Sequence, residues 1–257
     1  MFMTDKQNSN SKYFTQINAE SEKYKDLEFQ VLGGGVEFGK RYLYQILWAV
    51  RNFEFDYILR LDDDYFICAD KLINELPMPP LPLFHWGWVH CINGITRPEE
   101  SMLLLSVDVI KMFLMQDPEK MRCHPWADQM IGLWVEDLGL RQKLVYRTDR
   151  RLHHHPPVRN MPTLLSEANI CQNRLGLHGS YPSTMHTLWQ NRGNYELKNE
   201  SLIQHSNECH SDLQFHWDAF GGSWRYEPKL CKTNPNWDTS KQGTGSSFGG
   251  REEGFNR

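Results

Sequence analysis

The chain has 257 residues, 40% hydrophobic and 23% charged, and its 28 Lys+Arg against 32 Asp+Glu leave a formal net charge of −4. That balance excludes collagen-like, coiled-coil and wholly disordered chains, and the length allows a sizeable buried core. The near-neutral charge argues against nucleic acid as a partner, because such a domain is usually basic.

Residues 1–19 are rich in Ser, Asn, Gln and Lys and read as a disordered lead-in with no apolar signal segment. Phe29-Gln30-Val31-Leu32 is a short apolar run ending in Gly33-Gly34-Gly35. Neither GxGxxG nor GxxxxGK(S/T) is present, so these glycines read as a turn rather than a phosphate loop. Leu43, Ile46, Leu47 and Val50 have helical spacing within 42–52. Phe55-Asp56-Tyr57-Ile58-Leu59-Arg60-Leu61 reads as a buried strand running into Asp62-Asp63-Asp64. A short helix is expected over 70–76, stopped by the proline-rich 77–82. Strands are expected over 84–92 and 102–106, and a helix over 107–115. Met130, Ile131, Leu133, Trp134 and Leu138 mark another helix, capped by Gly139. Val145-Tyr146 and 175–178 read as short strands and 183–191 as a helix. After Ser206 the pattern dissolves, and 206–257 reads as an irregular, disordered tail. Strands alternating with helices indicate an α/β domain with a mixed sheet. No stretch of about 18 apolar residues is present to cross a membrane.

Six cysteines lack CxxC spacing, which argues against zinc ribbons and thioredoxin-like motifs. Two or three disulfides and six free thiols both remain open. Asn199-Glu200-Ser201 is a glycosylation sequon if the chain enters the secretory route.

Asp62-Asp63-Asp64 is the sharpest chemical feature. Adjacent carboxylates repel one another unless they are solvated or bind a cation. At the carboxyl end of a strand they stand where open α/β sheets bind ligands. Alternation along an extended strand would put Asp62 and Asp64 on one side, suited to Mg²⁺ or Mn²⁺ and a diphosphate. Asp128 could be a helix N-cap or a catalytic acid–base group. Glu136-Asp137, in the same helix, is expected to face solvent. His153-His154-His155 cannot all reach one ion from one strand and reads as surface or packing. Trp86, Trp88 and Trp126 could stack on sugar rings or simply fill the core.

Taken in order over 20–189, four segments resemble the inverting β-1,3-glycosyltransferase family, which includes β-1,3-galactosyl- and N-acetylglucosaminyltransferases and fringe. Tyr57-Ile58-Leu59-Arg60-Leu61-Asp62-Asp63-Asp64-Tyr65-Phe66-Ile67 is similar to its DxD segment. Met102-Leu103-Leu104-Leu105-Ser106-Val107-Asp108 resembles its strand-to-helix step. Ala127-Asp128-Gln129-Met130-Ile131-Gly132 resembles its "EDVxxG" helix, with Ala127 in place of the first acid. Leu177-His178-Gly179-Ser180-Tyr181-Pro182-Ser183-Thr184-Met185, with Leu188-Trp189, resembles its "VH…PxxM…LW" segment.

The resemblance implies a GT-A-like, Rossmann-like mixed sheet flanked by helices, with a partial catalytic domain over 20–205. It implies Mn²⁺ or Mg²⁺ held by Asp64, His178 and Asp62, and a UDP-sugar donor contacted by Asp62, Asp63 and Lys40. Asp128 would be the catalytic base, the acceptor a glycan on a glycoprotein or glycolipid, and the location the Golgi lumen. The family's glycine-rich acceptor loop is replaced by Arg97-Pro98-Glu99-Glu100-Ser101. The family's membrane anchor and first β-α portion are not found here, so the chain is expected to begin inside the domain. Two other expectations compete: an inactive relative that binds sugar or protein, and a metal-dependent phosphoester hydrolase using Asp62-Asp63-Asp64 with residues 153–155.

Overall fold

A computed structural model describes residues 1–5, 9–10, 13–30, 38–92, 95–153, 161–194 and 226–237. The first elements are β1 (Phe2–Asp5), α1 (Phe14–Tyr24), β2 (Leu27–Gln30) and α2 (Phe38–Asn52). β3 (Tyr57–Leu61), β4 (Tyr65–Ile67), α3 (Ala69–Asn74), β5 (Phe84–Ile92), β6 (Ile95–Ser106) and α4 (Val107–Leu114) follow. Then come β7 (Arg122–Cys123), α5 (Ala127–Asp137), β8 (Val145–Thr148), β9 (Leu152–His153), α6 (Met161–Ser166) and α7 (Ile170–Asn173). β10 (Gly176–His178), α8 (Pro182–Gln190) and β11 (Lys229–Leu230) complete the set.

The central sheet has the order β3-β6-β5-β8. β3 and β5 run antiparallel to β6, and β8 runs parallel to β5. This is a mixed α/β architecture with sheets flanked by helices, in line with the alternation in the sequence. Both faces of β6 are covered, so it reads as a continuous apolar run rather than an alternating one. Leu103 and Leu105 pack with Tyr42 and Ile46 of α2, Val109, Ile110 and Phe113 of α4, and Met130, Ile131 and Trp134 of α5. Met102 and Leu104 pack on the other face with Phe84, Trp86, Tyr65, Leu72 and Leu152. Each such leucine contributes about 1.5–3 kcal/mol by burial.

A second, three-stranded sheet has the order β4-β10-β9. Gly176 opens β10, and a Cβ there would lie 2.5 Å from the Tyr65 ring, so glycine permits this pairing. A buried charge cluster braces the junction between the sheets. Glu75 binds Arg147 at 2.9 Å and Arg151 at 2.6 Å, and Arg151 also binds Asp149 at 2.7 Å. The Arg147 guanidinium lies 3.7 Å from the Trp86 ring centroid, and Trp86 Nε1 donates to Asp149 at 3.1 Å. Trp86 is therefore a core residue with both its ring and its N–H committed, not a sugar platform.

Three expectations change. Residues 97–101, read as a loop, belong to β6, where His90 pairs with Arg97 and Val89 with Pro98. A register shift between Gly87 and Val89 lets a proline sit inside the ladder. The lead-in contains β1, paired in parallel with β2, and the start of α1. The tail read as irregular has order at 226–237: β11 pairs antiparallel with β7, and Cys231 forms a disulfide with Cys123. A second disulfide joins Cys68 to Cys171. The side chain of Cys91, all of Cys209, Gly33-Gly34-Gly35, His154, His155 and Asn199 lie outside the described residues.

His124 ties 226–237 to the start of α5. It is 1% exposed, its Nδ1 accepts the Trp126 N–H at 3.2 Å, and its Nε2 faces the Tyr226 carbonyl at 3.1 Å. With Nδ1 accepting, the neutral ring donates from Nε2. Burial pushes its pKa down to about 4, against an unfolded value of about 6.5. A depressed histidine must shed its proton to fold. Its contribution is therefore complete above pH ~6.5 and is lost as pH falls toward the folded value. In urea titrations across that window, His124→Gln is expected to flatten the slope of unfolding free energy with pH by close to one proton, about 1.4 kcal/mol per pH unit. Identical slopes in variant and wild type would exclude His124 as the titrating group.

Candidate functional site

β3 ends at Leu61, and the acids follow in a tight turn closed by the Tyr65 N–H donating to the Asp62 carbonyl at 3.1 Å. Asp62 and Asp64 therefore meet through this turn and not through strand alternation. The expected proximity holds, but for a different geometric reason. β4 then pairs with β10 so that Tyr65 stands opposite His178. The two rings stack at 5.8 Å with 19° between planes, which fixes the imidazole. Gly179 follows at φ +75°, a conformation glycine adopts without strain. The next amide, of Ser180, donates to the Asp64 carbonyl at 2.7 Å and closes the loop over the acids.

His178 Nε2 lies 3.3 Å from Asp64 Oδ1 and 3.6 Å from Asp62 Oδ2. One donor atom from each of these residues falls within 4.8 Å of the other two. Ligands about 2.1 Å from an octahedral ion sit ~3 Å apart, so the cluster is slightly open but compatible with one ion. Two carboxylates and an imidazole suit Mn²⁺, and Mg²⁺ less well because of the nitrogen. All three side chains are partly exposed, at 26%, 25% and 14% for Asp62, Asp64 and His178. A ligand can therefore reach them.

Burial opposes a charged His178, but its hydrogen bond to Asp64 and the Asp64, Asp62 and Glu99 carboxylates outweigh that and raise its pKa. Local desolvation, then the flanking Asp64 and Asp62 charges, raises the carboxyl pKa of Asp63. Asp63 does not join the cluster. It lines an adjoining cavity of about 470 Å³ with Ser180, Met185, His186 and Trp189. That volume lies in the range of small-molecule sites.

Asp128 is tied to the stretch of β6 that runs past the end of β3. The Asp62 N–H donates to the Ser101 carbonyl at 3.0 Å. The neighbouring Glu100 accepts the Asp128 N–H at 3.2 Å. Arg60 pairs with Asp62 at 2.8 Å and also feels the charge of Glu100. Arg97 lies 3.4 Å from Asp128 Oδ2. Two arginines thus hold three carboxylates from separate stretches of chain where β6 runs past the end of β3. Asp128 is not the N-cap, a position held by Trp126; it sits in the first turn of α5. Gly39 lets α2 approach closely here, since a Cβ would fall 2.0 Å from the His124 carbonyl oxygen.

No family model matches this chain, and no curated protein matches it.

The other candidates do not belong to the cluster of three. Lys40 is in the first turn of α2 and donates to Asn236 Oδ1 at 3.0 Å. His153 is on β9, where its ring contacts Arg174. Glu136 pairs with Arg141 and Asp137 with Arg122, at the far end of α5. Trp126 packs on Phe38 with centroids 5.2 Å apart. Trp88 borders a small void with Tyr65, Glu99 and Ser101. Sequence reading missed Arg60, Arg97 and Glu100 as part of this site. The only signal was charge in a stretch that otherwise reads as a strand or strand border.

Proposed function

We propose that this chain is a metal-dependent inverting glycosyltransferase with a GT-A-like fold, moving a hexose from a UDP-sugar to a glycan hydroxyl in β-1,3 linkage. One observation carries the reading. Asp62, Asp64 and His178 share a cation-sized cluster, and Glu100 and Arg97 of β6 hold Asp128 beside the stretch whose Ser101 carbonyl accepts the Asp62 N–H. The order of motifs that resembles the β-1,3-glycosyltransferases supports the same assignment.

In this reading Asp62, Asp64 and His178 would hold Mn²⁺ or Mg²⁺, which would act as a Lewis acid toward the donor diphosphate. Asp128 removes the proton of the acceptor hydroxyl as its oxygen attacks C1 of the donor sugar. The new C1–O bond forms on the face opposite the departing UDP, whose phosphate oxygen keeps the electrons of the broken bond. A single displacement inverts the anomeric centre, so an α-linked donor gives a β-linked product. The cavity beside Asp63 and Ser180 leaves room for donor or acceptor at the edge of the cluster. Two disulfides are at home in an oxidising compartment and agree with a Golgi-lumen location.

Calorimetric titration with UDP and Mn²⁺ tests the metal assignment. Asp64→Ala and His178→Ala are each expected to weaken Mn²⁺-dependent UDP binding by more than about tenfold. Unchanged metal dependence in both variants removes the site. A panel of UDP-galactose, UDP-N-acetylglucosamine and UDP-N-acetylgalactosamine tests the reaction itself.

A further inference from the structure

We propose that Glu100 is a positioning residue for Asp128, supplying from β6 the N-terminal cap that α5 lacks in its own sequence; its catalytic consequence rests on the function proposed above. The first amides of a helix have no intrahelical acceptor and must find one elsewhere. At α5 each can be accounted for. The N-cap residue, Trp126, makes no side-chain cap bond. Glu100 Oε2 accepts the Ala127 N–H at 2.6 Å and the Asp128 N–H at 3.2 Å, across 27 and 28 residues of chain. Asp128 Oδ1 accepts the Gln129 N–H at 2.6 Å. The Met130 N–H, donating to the Trp126 carbonyl at 3.0 Å, begins the regular ladder.

The consequence for Asp128 is direct. Its own backbone amide is anchored by Glu100, one side-chain oxygen is tied to the next amide, and the other faces Arg97. A carboxylate at a helix N-terminus also gains from the helix dipole. The cap is placed against electrostatic resistance. Burial, and then the neighbouring Asp128 charge, pushes the Glu100 carboxyl well above its ordinary range, and Arg60 opposes this. Solvent or a serine at position 126 could cap these amides without the repulsion, but neither would join the helix start to β6 as Glu100 does. It sets the base against β6, the strand that also bonds Asp62 through Ser101. The two halves of the site are thus registered to one strand.

Two readouts separate positioning from mere stability, and positioning from transfer. Amide hydrogen exchange is measured by NMR at Ala127 and Asp128 in the full chain, for wild type, Glu100→Gln and Glu100→Ala. Glu100→Ala is expected to speed exchange at these two amides at least tenfold more than at the α2 and α4 amides. Glu100→Gln, which keeps an acceptor oxygen, restores most of the protection. For transfer, Glu100→Ala is expected to lower kcat about 100-fold with donor KM nearly unchanged, because a base displaced by about 1 Å loses that much; Glu100→Gln recovers most of the rate. Unchanged exchange at Ala127 and Asp128 in Glu100→Ala overturns the proposal. So does an unchanged kcat in a folded variant with faster exchange. If wild type transfers no sugar from any donor, the function proposed above fails while the exchange data still decide whether Glu100 holds the helix.

Discussion

Asp128→Asn is expected to lower sugar transfer about 10²- to 10⁴-fold, the range a positioned general base contributes, while UDP affinity stays near wild type. The asparagine matches aspartate in shape, and its carbonyl can still accept the Gln129 N–H that Asp128 Oδ1 accepts at 2.6 Å. The Glu100 bond to the backbone at 128 is untouched. What disappears is a carboxylate able to take a proton. The ion pair with Arg97 at 3.4 Å is weakened, and the repulsion between position 128 and Glu100 is relieved. Initial rates with saturating donor, alongside calorimetric UDP binding, separate the two effects. A variant that transfers at the wild-type rate rules out Asp128 as the base. One that loses donor binding in parallel moves Asp128 to the donor side of the reaction.

The second large effect is on stability. Glu75→Ala is expected to cost about 3–5 kcal/mol, because it strands buried charge. Glu75 is 9% exposed and binds Arg147 at 2.9 Å and Arg151 at 2.6 Å. Without it the two guanidinium groups lose the carboxylate they share in a poorly hydrated place. The damage would reach the site. The Arg151 carbonyl accepts the Leu175 N–H at 3.0 Å, at the start of the strand that carries His178. Urea unfolding measures the loss, and Glu75→Gln separates charge from packing. If Glu75→Ala unfolds within about 1 kcal/mol of wild type, the cluster is not the brace described.

The run before Asp62 was legible as a strand from its branched and aromatic residues. It was expected to be buried, but β3 is an edge strand of the described sheet with none of its five residues buried. The helix before Gly139 was legible from its apolar residues, although α5 is buried all round from Ala127 to Val135. The acids and His178 were legible as types, since few residues ligate hard cations. Residues 97–101 were not, because a strand carrying Arg97, Glu99 and Glu100 into a charge network reads like a surface loop. The turn at 62–65 was hidden for a related reason: nothing local tells three aspartates whether to stay extended. Capping of α5 by Glu100 depends on contact across 27 residues, and no window along the chain sees it. The C-terminal order fails the same way. Lys229 and Leu230 form a strand only because β7 supplies the partner.

The Cys123–Cys231 bond spans 108 positions, and its first half stands four residues before the helix bearing Asp128. A nascent polypeptide leaving the ribosome would expose Cys123 long before its mate is synthesised. Until that stretch emerges, His124 lacks the Tyr226 carbonyl and Lys40 lacks Asn236. The entrance to the helix would thus be among the last parts to settle. A message cut short ahead of codon 226 would yield a protein in which Glu100 still holds the first amides but the C-terminal ties to Cys123, His124 and Lys40 are missing.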